Sequence, residues 1–213
     1  MRLFFFILLI LFTCSIYAQE MPLNKSVAVV NDEIITLLNA SLFHQLSAVL
    51  AKIKENKKLT PSDFPFEMTQ DQLKITIEKL IVIELLFQEL RKFKIDPITP
   101  DEALNRIKPF FIAQNSFETI LSKLNTTEKI FLGLLAKKYS TDFFIETKFN
   151  DKTLFVTDNE INEYIEKHKI SKTQSDRQKI IDAIKVSKNQ SRISFFITNL
   201  FERSNVKYIH INF

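Results

Sequence analysis

A mainly helical domain closed by a small β-sheet is the fold class this sequence predicts. Three observations carry that prediction. Apolar residues recur at three- and four-residue spacing through most of the chain. Short β-branched runs stand near its two ends. The 213 residues contain a single Gly, whereas all-β folds need many tight turns, which usually draw on Gly.

The scarcity of Gly also removes whole classes of function. Walker loops, GxGxxG turns and the nucleophile elbow need Gly where backbone approaches a ligand or takes positive φ. Gly133 has no Gly partner at any of those spacings.

Residues 1–18 read as a secretory leader, apart from the fold. Arg2 is the basic start, Leu3 to Phe12 is uninterruptedly apolar, and Cys14 to Tyr17 leads to the small Ala18. The run is short for a membrane anchor, which needs about 20 apolar residues. Lipidation at Cys14 is the minor alternative, because Phe12 and Thr13 fit a lipoprotein signal poorly. Cleavage after Ala18 would discard the only cysteine and leave a thiol-free chain in an oxidising compartment. It would also lower the net charge of +4 by one. A nearly balanced charge without a long basic block does not point to nucleic acid.

The mature chain, 19–213, is expected to form one domain. Val27 to Val30 and Ile34 to Thr36 make a hairpin, with Asn31 and Asp32 turning in place of Gly. A helix follows over 37–57, its stripe formed by Leu42, Leu46, Val49, Leu50 and Ile53. Pro61 and Pro65 mark a loop. The helix over 70–94 is apolar almost all round, including Leu73, Ile77, Leu80 to Ile83, Leu85 to Phe87, Leu90 and Phe93. It therefore reads as the buried centre. Glu78, Lys79, Glu84 and Glu89 argue against its spanning a membrane.

Thr99, Pro100 and Glu102 form a complete helix-start signal, after which Ala103, Ile107, Phe110 and Phe111 face inward. Gln114 to Ser116 resets the chain into a short helix ending at Leu124. Thr126 or Thr127 caps a helix to Phe149 with two apolar faces: Ile130, Phe131, Leu134 and Leu135 on one, Leu132, Tyr139 and Phe143 on the other. Thr157 and Glu160 box the start of a helix to Lys167. After a polar linker, His168 to Ser175, a long helix runs from about Asp176 to Arg203. Val206 to Phe213 reads as a strand whose natural partner is the N-terminal hairpin, so that 176–213 completes the core.

A search for chemistry returns little. His44, His168 and His210 lie far apart and match no ligand spacing. The Ser and Thr residues mostly occupy cap positions, and the carboxylates alternate with Lys as solvated helix faces. No catalytic residue, metal, cofactor or small-molecule substrate is expected.

Taken in order, several segments are similar to the SurA-type N-terminal domain of periplasmic chaperones. They are Ser26-Val27-Ala28-Val29-Val30-Asn31-Asp32-Glu33-Ile34-Ile35-Thr36, Leu80 to Leu86, Lys94-Ile95-Asp96-Pro97-Ile98-Thr99, Ile112 to Phe117, and Phe155 to Ile165. The resemblance implies a helical domain whose C-terminal helix and strand return to the N-terminal core. It further implies a holdase in the periplasm for unfolded or nascent envelope and outer-membrane proteins. Relatives commonly insert parvulin-type prolyl isomerase domains after the helix equivalent to Asn159–Lys167. Here only His168 to Ser175 separates that helix from the next, too little for a domain of on the order of 100 residues. The expectation is therefore a chaperone without isomerase activity. Phe110, Phe111, Phe131, Phe143 and Phe144 are the candidate client-binding residues, each with a plain core position as its alternative. The rival functions are an envelope interaction or structural module with one dedicated partner, a homodimer through the second apolar face, and a prolyl-isomerase-related protein.

Overall fold

The computed structural model describes residues 25–60, 68–111, 116–149, 154–169 and 174–209. The expected leader with Cys14 and Ala18, the Pro61 and Pro65 loop, residues 112–115 and the strand's last residues, His210 to Phe213, lie outside the described residues.

Strands β1 (Ser26–Val30) and β2 (Glu33–Thr36) pair antiparallel about the Asn31-Asp32 turn. Asn31 takes the left-handed conformation, φ 55°, which its short polar side chain tolerates better than most. The strand β3 (Val206–Tyr208) pairs antiparallel with the other edge of β1, Val30 opposite Val206 and Ala28 opposite Tyr208. The sheet order is therefore β2-β1-β3, and the two ends of the domain meet as the sequence predicts.

Seven described helices surround this sheet: α1 (Leu37–Lys54), α2 (Gln70–Lys92), α3 (Pro100–Ile107), α4 (Ser116–Lys123), α5 (Glu128–Phe149), α6 (Asp158–His168) and α7 (Gln174–Glu202). A 3-10 turn, Lys108–Phe110, extends α3. Reciprocal capping boxes start four of the helices, at Thr36/Asn39, Thr69/Gln72, Thr99/Glu102 and Thr157/Glu160. Each cap is worth about 1 kcal/mol. Left-handed residues at chain reversals are Asn31, Asn56, Lys94, Asn125 and Lys169. The single Gly takes no part in turning the chain, since Gly133 lies inside α5.

The middle of α2 is the centre of the core. Ile81, Ile83, Leu85, Leu86 and Leu90 are buried against β1, α1, α5 and the end of α7. Two expectations need correcting. Phe93, read as extending the buried pattern of α2, is its C-cap and is half exposed. The two faces assigned to α5 also divide differently. Phe131, Leu132 and Leu135 are buried together, while Ile130 and Phe143 are exposed. Four helices, α1, α2, α3 and α7, contact α5, so its covered surface does not follow one straight stripe.

The helix α7 has 29 residues, about 43 Å at 1.5 Å per residue, and serves two cores. Near its start Ile180 and Ile184 pack with Ile161 of α6 in a separate small cluster. Twenty residues beyond Ile180, a rotation of about 100° per residue brings Leu200 to nearly the opposite side, where it joins the main core. The α6–α7 pairing is reinforced by Lys188 Nζ to Glu160 Oε1 at 2.5 Å and Arg177 Nη2 to Asp158 Oδ1 at 2.6 Å. First the Lys188 ammonium and then the Thr157 amide draw the Glu160 carboxyl from 4.5 down to about 2. A depressed carboxyl stabilises the folded form above its unfolded value and loses that contribution as pH falls through the folded one. The α6–α7 pairing should therefore weaken between about pH 4.5 and 2. Amide exchange in α6 across that range checks this, and Glu160→Gln should flatten the dependence. An unaltered profile in Glu160→Gln would refute it.

At the other end of α7, Arg203 Nη2 reaches Glu89 Oε1 at 2.7 Å and Lys92 bonds the other oxygen at 3.2 Å. Burial tends to raise the Glu89 carboxyl, but these two cations outweigh it and hold its pKa below the ordinary value. The return of the chain to the sheet is thereby tied to α2.

Candidate apolar groove

Among the described residues one face of α2 is only partly covered. Ile75, Glu78, Lys79, Val82, Ile83 and Leu86 line a groove of about 590 Å³. Their spacing of three, four, seven, eight and eleven from Ile75 is that of a single helical stripe. The opposite wall is Lys138, Thr141 and Asp142 of α5, again at three- and four-residue spacing. Phe43 of α1, Phe201 of α7 and Tyr208 of β3 complete it.

The groove is graded from an apolar floor to a polar lip. Phe43, Ile83 and Leu86 are buried, Val82 and Phe201 half-buried, and Ile75 and Tyr208 stand 50% and 58% exposed at the mouth. Thr141 commits its hydroxyl to the Lys138 carbonyl oxygen at 2.8 Å. Lys138 is paired with Asp142, while Glu78 and Lys79 are exposed at the lip. Burial, and then the nearby Glu78 carboxylate, push the Tyr208 phenol above its ordinary value. Among the described residues no group of three or more His, Cys, Asp or Glu converges to hold a metal. No described helix is long and apolar enough to cross a membrane. The chemistry the groove offers is removal of apolar side chains from water, about 1.5–3 kcal/mol for each large one fully buried.

None of the five Phe residues expected from the sequence lines this groove; Phe131 and Phe144 are buried in the main core, with Phe110 and Phe111 packed against it. Phe131 is buried and meets Phe117 edge-on at 5.7 Å; Phe111, half-buried, lies tilted against Phe117 at 5.5 Å. Phe110 is half-buried, and its carbonyl oxygen accepts from the Leu59 amide at 2.8 Å. Phe144 is buried farther along α5, 5.8 Å from Phe93 and 6.3 Å from Phe196, with Lys148 Nζ above all three rings. Phe143 is exposed, and although Asp142 next to it lines the groove, Phe143 does not. Phe131 and Phe144 are thus core residues, because their sides of α5 meet α3, α2 and α7. The groove residues themselves escape a composition-based search. Their one sequence signal is an apolar stripe on α2 interrupted by Glu78 and Lys79, which marks a face with water at its edge.

No family model and no solved structure matches the chain. It is similar to Chaperone SurA of Buchnera aphidicola subsp. Schizaphis graminum (strain Sg), 26% identical over 153 residues. That similarity covers 70% of this chain but only 31% of the relative, so the chain spans under a third of the protein it matches. The likeness supports a SurA-like relationship and a chaperone-like role.

Proposed function

We propose that this protein is a periplasmic holdase, which binds segments of unfolded envelope or outer-membrane proteins in the groove between α2, α5 and β3 and acts without prolyl isomerase chemistry. The observation that carries the reading is the groove, apolar at its floor and charged at its lip. The likeness to a chaperone supports it, and so does the secretory pattern of residues 1–18. A volume of about 590 Å³ falls within the range of about 300–1,000 Å³ typical of ligand pockets. Two or three buried apolar side chains would contribute a few kcal/mol each, much of it offset by the cost of association. The balance is weak, reversible capture, which suits a protein that must release its client. The charged lip keeps the open groove soluble between clients.

The purified protein in excess should delay aggregation of an unfolded outer-membrane β-barrel protein, and Val82→Asp should reduce that effect about tenfold by placing a charge on the apolar floor. Ile75→Asp, at the exposed mouth, makes the same test with little risk to the fold. A proline-peptide assay should show no acceleration above buffer. Failure of the unmodified protein to delay aggregation would refute the holdase reading, and accelerated isomerisation would refute its non-enzymatic part.

A further inference from the structure

Among the described residues the sheet ends at β3, and Tyr208 belongs both to that edge and to the groove. The Asn31 amide donates to the Asn205 carbonyl oxygen at 2.8 Å, and the Ile209 amide donates to that of Val27 at 3.0 Å. Backbone groups alternate along a strand, so Lys207, midway between these two bonds, also faces β1. Val206 and Tyr208 therefore turn their N–H and C=O groups outward. Among the described residues no further strand pairs with that edge.

We propose that the outer edge of β3 and the adjoining groove together seat one extended segment of an unfolded client as a fourth strand, with the pattern apolar–acidic–apolar. This rests on the holdase reading and specifies the form of its client. Side chains of an added strand alternate between the two faces of the sheet. Those on the Tyr208 face meet Ile75 and Val82 in the groove, while the residue between them lies opposite the exposed Lys207. A carboxylate at that position complements the ammonium.

The same lysine disfavours a second copy as the occupant. Two β3 edges joined antiparallel about Lys207 would pair Val206 with Tyr208 of the other copy and set Lys207 against Lys207. That would be a non-hydrogen-bonded pair, where opposed side chains come closest and like charges repel. Lysine on a free edge is a common guard against self-association.

The probe is a fluorescein-labelled nine-residue peptide of alternating Tyr or Val with Thr, carrying Glu at its centre. Three changes should each weaken its binding by about tenfold, the loss expected from a few hydrogen bonds or one charge pair. The first is N-methylation of the three central peptide amides. The second is Val206→Pro, which removes an outward donor and leaves pairing with β1 intact. The third is Lys207→Glu, which a peptide with central Lys should rescue. If Val206→Pro does not fold, amide exchange in the unmodified protein decides: peptide should slow exchange at Val206 and Tyr208. Unchanged affinities for the N-methylated peptide and both variants, with Val82→Asp weakening binding, would overturn the strand and leave the groove reading standing. A dimer in sedimentation that peptide cannot dissociate would also overturn it. Absence of both peptide binding and aggregation delay would instead remove the holdase reading itself.

Discussion

Phe144→Ala should destabilise the protein by about 3–5 kcal/mol, the usual cost of deleting a buried aromatic ring, whereas Phe143→Ala next to it should cost less than about 1 kcal/mol. Phe144 is 1% exposed and Phe143 46%. The buried ring bridges Phe93, at the end of α2, and Phe196, in α7. Its removal opens a void that three helices would have to close together, and partial relaxation is why such losses exceed the transfer term. Lys148 Nζ lies 4.3 Å from the Phe93 centroid and 5.0 Å from that of Phe196, so its cation–π contacts would loosen as the rings shift. Urea unfolding of the two variants measures the difference. Equal losses would refute the division between core and surface on α5. The comparison also bears on function, because lost client binding in Phe144→Ala would come with lost stability, while Ile75→Asp should lose binding alone.

This pair of adjacent phenylalanines marks where reading the sequence stops. Periodicity and cap signals together place the described helices, and Thr99 with Glu102 and Thr157 with Glu160 announce two starts that the structure retains. The pairing of β3 with the hairpin is also legible, since a β-branched run such as Val206 to Tyr208 has to pair and the hairpin is the available partner. Periodicity cannot say which neighbour covers which side of a helix. Phe131, Phe143 and Phe144 look alike on the page, yet two are core and one is exposed, because α3, α2 and α7 approach α5 from particular directions. The groove was less legible still. Its walls come from Val82, Asp142 and Tyr208, some sixty residues apart each time, and a cleft is a property of helices failing to meet. What α2 did show, charges at 78 and 79 within an apolar stripe, became informative only once its uncovered face was known.

Lys137→Ala should be the more damaging half of a buried pair, costing about 3–4 kcal/mol, and Glu84→Gln in the same chain should restore much of that loss. The Glu84 side chain is only 8% exposed and lies 2.6 Å from Lys137 Nζ, itself 30% exposed. Removing the lysine strands a carboxylate away from water, and breaking a buried pair from one side costs about 3–5 kcal/mol. Removing the carboxylate leaves an ammonium that can turn toward solvent while its stem stays near the Phe87 ring. The carboxylate matters beyond its partner, because Gln88 Nε2 donates to Glu84 Oε1 at 3.1 Å and Gln88 Oε1 accepts from Asn31 Nδ2 at 2.5 Å. Asn31 Oδ1 in turn accepts from the Asn205 amide at 3.0 Å. One chain of polar contacts thus links α5, α2, the hairpin turn and the turn before β3. A Gln at 84 would keep the acceptor for Gln88 and remove the stranded charge, so the double variant should be more stable than Lys137→Ala alone. Denaturant unfolding of the two single variants and the double closes the cycle. Simple additivity would mean that Glu84 and Lys137 do not stabilise one another.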